Sequence, residues 1–188
     1  MKNCYPKNIT LCGIKHSGKS SAAKALSRLT GLPFADSDDV LQELFHSETG
    51  KSASVREIYQ ELGEEKFRQL EVRALRKLFS CQERKITALG GGVLSNPYLS
   101  DMDRSGFGFL CFLDAEDEIA YQRILRNGLP PFLEKAENPF MAFCEMNTSR
   151  REIFRSKADF ILKITDKNTT PQLSAERILS AYREDINE

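Results

Sequence analysis

Eight consecutive residues constrain this fold more than any others: Gly13-Ile14-Lys15-His16-Ser17-Gly18-Lys19-Ser20. A short apolar run of β character, residues 9–12, leads into them, and a run with Ala22, Ala25, Leu26 and Leu29 at helical spacing follows. Strand, glycine-rich turn and helix in that order open a parallel α/β unit, because the chain must cross over before it pairs again. The theme repeats. Thr30-Gly31 stops the helix, and a second apolar run, Phe34-Ala35, ends in Asp36-Ser37-Asp38-Asp39. Residues 40–45 read as helical and Thr49-Gly50-Lys51-Ser52 as a loop. Over 55–79 a stripe of Ile58, Leu62, Leu70, Leu75 and Leu78 predicts helix, which Gly63 divides in two, since an interior glycine costs about 1 kcal/mol relative to alanine. Residues 85–89 predict a third strand, running into Gly90-Gly91-Gly92, and 107–113 a fourth. A helix over 116–125, an irregular stretch over 127–138 carrying Gly128, Pro130 and Pro131, a helix over 140–155, a fifth strand over 159–164 and an amphipathic helix over 174–182 complete the chain.

Strands alternating with helices predict an α/β fold, a parallel sheet covered on both faces. Right-handed crossovers put the C-terminal ends of all strands on one edge, where such sheets bind ligands. The Gly13 loop, the Asp36–Asp39 cluster and the triple glycine each follow a predicted strand directly. Three chemically unusual segments therefore converge on one edge.

Composition narrows the partners. The chain has 188 residues, 40% of them hydrophobic, which suits one soluble globular domain. Twenty-seven Lys and Arg balance 27 Asp and Glu, so bulk charge gives nucleic-acid binding no support. No apolar stretch approaches a membrane span. Cys4, Cys12, Cys81, Cys111 and Cys144 are scattered without metal-ligand spacing and read as reduced thiols, most of them in the core. The expectation is a cytoplasmic monomer with small-molecule partners.

The eight-residue motif is G-x-x-x-x-G-K-S. Its glycines let successive backbone N–H groups point at one anion, and the following helix adds its positive end. Lys19 would neutralise β- and γ-phosphate charge and Ser20 would meet Mg²⁺, so the loop predicts ATP binding. Ser21 sits just beyond it, and His16 reads as an exposed loop side chain. Phosphoryl transfer also needs an acceptor hydroxyl and a group to take its proton. Asp36 and Asp38, two apart past the second strand, point to the same side if the segment is extended, one toward Mg²⁺ and the other toward the hydroxyl. They read equally well as an N-cap cluster. Arg68, with Glu64 and Glu71 at helical spacing, is either a surface ion pair or a guanidinium held to grip a carboxylate. Gly90, Gly91 and Gly92 form either a tight turn or a close approach to ligand.

In this order the residues resemble the shikimate kinases, members of the nucleoside-monophosphate-kinase-like P-loop group. The likeness runs through the phosphate loop, Phe34-Ala35-Asp36-Ser37-Asp38, Thr49-Gly50-Lys51-Ser52, Gly63-Glu64-x2-Phe67-Arg68-x2-Glu71, Leu89-Gly90-Gly91-Gly92-Val93 and Arg150-x3-Phe154-x3-Ala158-Asp159, essentially the whole chain. It implies a three-layer P-loop fold with a five-stranded parallel sheet, a helical substrate-binding segment over 36–63 and a lid over 126–139. It also implies ATP- and Mg²⁺-dependent phosphorylation of the shikimate 3-hydroxyl, in the route to chorismate and the aromatic amino acids. Asp38 would bind the substrate hydroxyls and serve as base, Arg68 and Arg150 would clamp the carboxylate, and the backbone of Gly90, Gly91 and Gly92 would meet the ring. Asp36 would hold Mg²⁺ through water, and Arg123, Thr169 and Pro171 would lie on the adenine side. One departure stands out. The family lid carries Arg-Pro-Leu-Leu where this chain has Pro130-Pro131-Phe132-Leu133, so the arginine that reaches over the phosphates is missing. Arg126 and Lys135 are candidate replacements. A gluconate or nucleotide kinase, sharing the phosphate loop, and a low-activity ligand-binding relic are the alternatives.

Overall fold

A computed structural model describes residues 5–81, 83–127 and 131–187, without the side chains of 127, 131 and 132. Strand β1 (Ile9–Cys12) is buried at every position, as a strand covered on both faces must be. It pairs in parallel with β3 (Ile86–Ala88) on one side and β4 (Phe109–Ala115) on the other. β2 (Phe34–Asp36) and β5 (Phe160–Ile164) complete a five-stranded parallel sheet of order β2-β3-β1-β4-β5. The strand order turns about at β1, so the crevice that such sheets offer to ligands opens where β1 hands over to the glycine loop.

One face of the sheet packs on α1 (Lys19–Thr30) and α8 (Pro171–Asp185), through Ala22, Ala25, Leu26, Ile178 and Tyr182. The other face packs on α3 (Val55–Phe79), α5 (Asp117–Asn127) and α7 (Pro139–Lys157), through Leu75, Ile124, Phe143 and Phe154. A third cluster, with Leu41, Phe45, Ile58 and Phe67, joins α2 (Ser37–Thr49) to α3 and carries the segment beyond β2.

The predicted elements are present, with informative shifts. Gly63 divides the 55–79 stripe as expected, with φ 72° and ψ 170° inside the merged helix. Helix α2 begins three residues early because Asp36 caps it, its carboxylate accepting from the Asp38 amide at 3.1 Å. Asp38 therefore lies in a helical turn, and strand alternation is not what places it beside Asp36. β4 starts two residues later than expected, since Gly108 takes φ 66° and packs against the Asn8 backbone, which forces a turn before the strand. A short helix, α4 (Asp101–Ser105), was not anticipated, although its Ser100/Asp103 capping box is a readable signal. The segment expected to be irregular contains α6 (Pro131–Glu134). Cys12 and Cys111 are buried, Cys81 is exposed and Cys144 half-buried, so core placement holds for only the first two; Cys4 lies outside the described residues. Among the described residues, no helix is long and apolar enough to cross a membrane.

Candidate active site

At the C-terminal edge of the sheet lies a cavity of about 1260 Å³. Its wall includes the loop from Lys15 to Ser21, Asp36, Asp38, Arg68, the three glycines, Arg123, Arg150, Thr169 and Pro171. Of the sequence-predicted site residues only Gly13 and Ile14 stay out of the wall, and both are buried. Gly13 has φ 148°, and a Cβ there would stand 2.8 Å from the Leu113 carbonyl oxygen. Ile14 sends its side chain into the core, while its carbonyl oxygen accepts from the Lys19 ammonium at 2.8 Å. Gly18, left-handed at φ 101°, begins α1 directly behind the loop. The loop is thus wrapped around its own lysine. Burial pulls the Lys19 pKa down to about 8 against the opposing pull of Asp38. The Ser17 hydroxyl is buried without a hydrogen-bond partner among the described residues, and its carbonyl accepts from Arg123 Nη1 at 2.9 Å.

Two carboxylates face this loop in different states of engagement. Each oxygen of Asp36 accepts one hydrogen bond: one caps α2 and the other accepts from the Ser20 hydroxyl at 2.8 Å. The N-cap reading of the aspartate cluster therefore holds for Asp36, which also lies against the Ser20 hydroxyl. Asp38 is pushed up to about 6, by burial first and then by the neighbouring Asp36 charge, with Lys19 pulling the other way.

The triple glycine explains how Asp38 and Arg68 come together. A Cβ on Gly90 would lie 2.6 Å from Asp38 Oδ1, and a Cβ on Gly92 would lie 2.7 Å from Arg68 Nη1. Side chains are absent from the turn because two functional groups lie over it. The Gly90 amide is tied to α2, donating to the Ser37 hydroxyl at 2.8 Å. Arg68 donates to Glu71 at 3.0 Å, and Asn96 donates both to Glu71 and to the Arg68 carbonyl at 2.8 Å. Glu71 and Asn96 are buried, so this is a fixed bracket and not a solvated surface pair. Arg150 is half-buried; burial lowers its pKa, and the charge of Arg68 lowers it further. Two guanidinium groups thus share one end of the cavity, next to a carboxylate poised near neutrality.

Sequence reasoning missed Ser37 and Asn96 in this construction. Asn96 carries no local signal, whereas Glu71 was visible as the helical neighbour of Arg68. Arg123, expected near adenine, donates from Nη1 to the carbonyls of His16 and Ser17 and so braces the loop. Thr169 and Pro171 flank the cavity, where the Thr170 side chain caps α8. Pro130 lies outside the described residues. Arg126 and Lys135, on either side of it in sequence, both line the cavity.

The family model for shikimate kinase matches residues 15–183. A shikimate kinase of Chlamydia pneumoniae is 34% identical over 171 residues, covering 90% of this chain and 93% of its own length. The solved structure of the shikimate kinase from Acinetobacter baumannii in complex with shikimate superposes with a TM-score of 0.78 at 25% identity, covering 97% of this chain and 96% of that one. A gluconokinase from Sinorhizobium meliloti 1021 reaches a TM-score of 0.62 at 14% identity, covering 97% and 95%, a likeness of fold alone. With the family model spanning most of the chain, and the phosphate loop, Asp36, Asp38, Arg68, Arg150 and the triple glycine on one cavity, the chain belongs to the shikimate kinase family.

Proposed function

We propose that the protein transfers the γ-phosphoryl group of ATP to the 3-hydroxyl of shikimate, giving shikimate 3-phosphate and ADP. The observation that carries this reading is the meeting of Asp38 and Arg68 over the triple-glycine turn, with Arg150 close by and the phosphate loop on the same cavity. Loop amides and Lys19 suit the β- and γ-phosphates. Ser20 and Asp36 offer hard oxygen donors 2.8 Å apart, which fits Mg²⁺. Among the described residues no cluster of three or more acidic, histidine or cysteine side chains would cage an ion, as befits a metal held mainly by phosphates and water. Ser20 and Asp36 would hold Mg²⁺, which would supply positive charge beside the transferring phosphoryl. Asp38, raised toward neutrality, is matched to accept the acceptor's proton near pH 7. Arg68 and Arg150 present paired guanidinium donors to a carboxylate, with Glu71 and Asn96 holding Arg68 in orientation. Arg123, Thr169 and Pro171 flank the nucleotide, and the 126–139 segment serves as the lid that keeps water from the γ-phosphate.

The direct test is coupled ADP release from Mg²⁺–ATP with shikimate, gluconate and nucleoside monophosphates offered separately. Turnover is expected with shikimate alone, well above the ATPase background. Turnover with another acceptor, and none with shikimate, would move the protein to that activity. Folded protein that binds ATP and shikimate by calorimetry yet forms no product would be the ligand-binding relic.

A further inference from the structure

One residue of the phosphate loop is ill suited to its own backbone. His16 has φ 64°, the only positive φ outside glycine among the described residues. This left-handed conformation crowds the Cβ of an L-residue, and such strain gathers where a site needs it. The backbone is held there from outside the loop, the His16 carbonyl accepting from Arg123 Nη1 at 3.1 Å. The ring is half-buried, lines the cavity and makes no hydrogen bond among the described residues. The charged groups acting on it are all cationic: Lys15 and Lys19 from the loop and the start of α1, and Arg123 from α5. Burial and these cations lower its pKa from the ordinary imidazole value, which favours the neutral ring in the nucleotide-free protein. Asp36 and Asp38, on the same cavity wall, pull on Lys19. The imidazole is thus set among cations, and a nucleoside polyphosphate brings several negative charges to them. That reverses the local field and favours the protonated ring, which donates from both nitrogens.

We propose that the His16 imidazole is itself a ligand of the nucleotide's phosphate chain, binding it as the protonated ring, so that nucleotide binding takes up a proton from solvent. The inference rests on the phosphate-loop reading above and adds to it a side chain that loops of this kind do not require.

The chain has two histidines, so His46→Gln leaves the His16 ring resonances alone in the imidazole spectrum. Their pH titration, run without nucleotide and with saturating ADP and Mg²⁺, is expected to shift its midpoint upward when ADP binds. Calorimetry in two buffers of unlike ionisation heat should then show proton uptake on ADP binding. His16→Asn keeps a residue that tolerates the left-handed backbone but cannot titrate. Between about pH 6 and about pH 8, wild-type affinity for Mg²⁺–ADP should fall roughly tenfold more than that of this variant, a difference that cancels the nucleotide's own titration. An unmoved His16 midpoint with ADP bound, or a wild-type pH dependence in His16→Asn, overturns the proposal and leaves the phosphate loop intact. Folded wild-type protein that binds no ADP overturns the loop reading itself.

Discussion

Asp38 is a carboxylate kept where ionisation is costly, and that cost is readable in two ways. Its native pKa of about 6 lies above the range of an unfolded aspartate. Between that range and about 6 the folded state therefore binds more protons than the unfolded chain. Stability falls as pH rises through this window, and the full penalty is present above it. Asp38→Asn removes the penalty and should gain on the order of 2 kcal/mol in urea unfolding at neutral pH. The same variant should lose at least about a hundredfold in kcat while retaining ATP binding by calorimetry. Wild-type kcat should fall as pH drops through about 6, where the base takes its proton. Stability and activity are expected to move in opposite directions, as happens where a site stores strain for its chemistry. At this scale the sequence identified Asp38 through its neighbours, but not the reason for its position. Alternation along a strand was the expected cause; the capped first turn of α2 is the actual one.

At the scale of elements, the turn after β3 shows how backbone and side chains divide the work. Gly92→Ala would place a Cβ 2.7 Å from Arg68 Nη1, the far end of a flexible side chain. The fold should absorb this within about 0.5 kcal/mol. The guanidinium cannot hold its place, so KM for shikimate should rise about tenfold in steady-state assays, with KM for ATP unchanged. The existence and order of the strands and long helices were legible, because hydrophobic period and glycine demands are local properties. Their ends were not. The start of α2 depends on an aspartate serving as cap, and the start of β4 on Gly108 pressing against Asn8, about a hundred residues away.

Across the whole molecule, α7 links the core to the site through consecutive arginines. Arg150 faces the cavity, while Arg151 is buried against Asp114 and donates to the Ala115 carbonyl at 2.8 Å and to Asp117 at 2.6 Å. Arg155 also donates to Asp114, at 2.8 Å, and stays behind as its partner, so Arg151→Ala should cost about 2–3 kcal/mol in chemical denaturation, the loss of its charge-assisted hydrogen bonds. Because the same helix carries Arg150, KM for shikimate should rise with it. The proposed lid is tested at this scale too. Burial, and after it the charge of Arg126, lowers the pKa of Arg123, which braces the loop, so Arg126 is near the loop and is the first candidate to test as the cation reaching the transferring phosphoryl. Arg126→Ala should lower kcat on the order of a hundredfold and Lys135→Ala much less, and Pro130→Arg should raise the wild-type rate if a lid cation limits it. By itself the sequence determined the strand–loop–helix order, the phosphate-binding loop and the chemical types at the acceptor end, since each is written in a few adjacent residues. Only the tertiary structure decided the sheet order, the Glu71–Asn96 bracket on Arg68, and the burial of Arg151 against Asp114 beside Arg150, whose place at the site the family resemblance already implies. Those outcomes depend on groups far apart in the chain competing for the same buried space, and no local pattern records that competition.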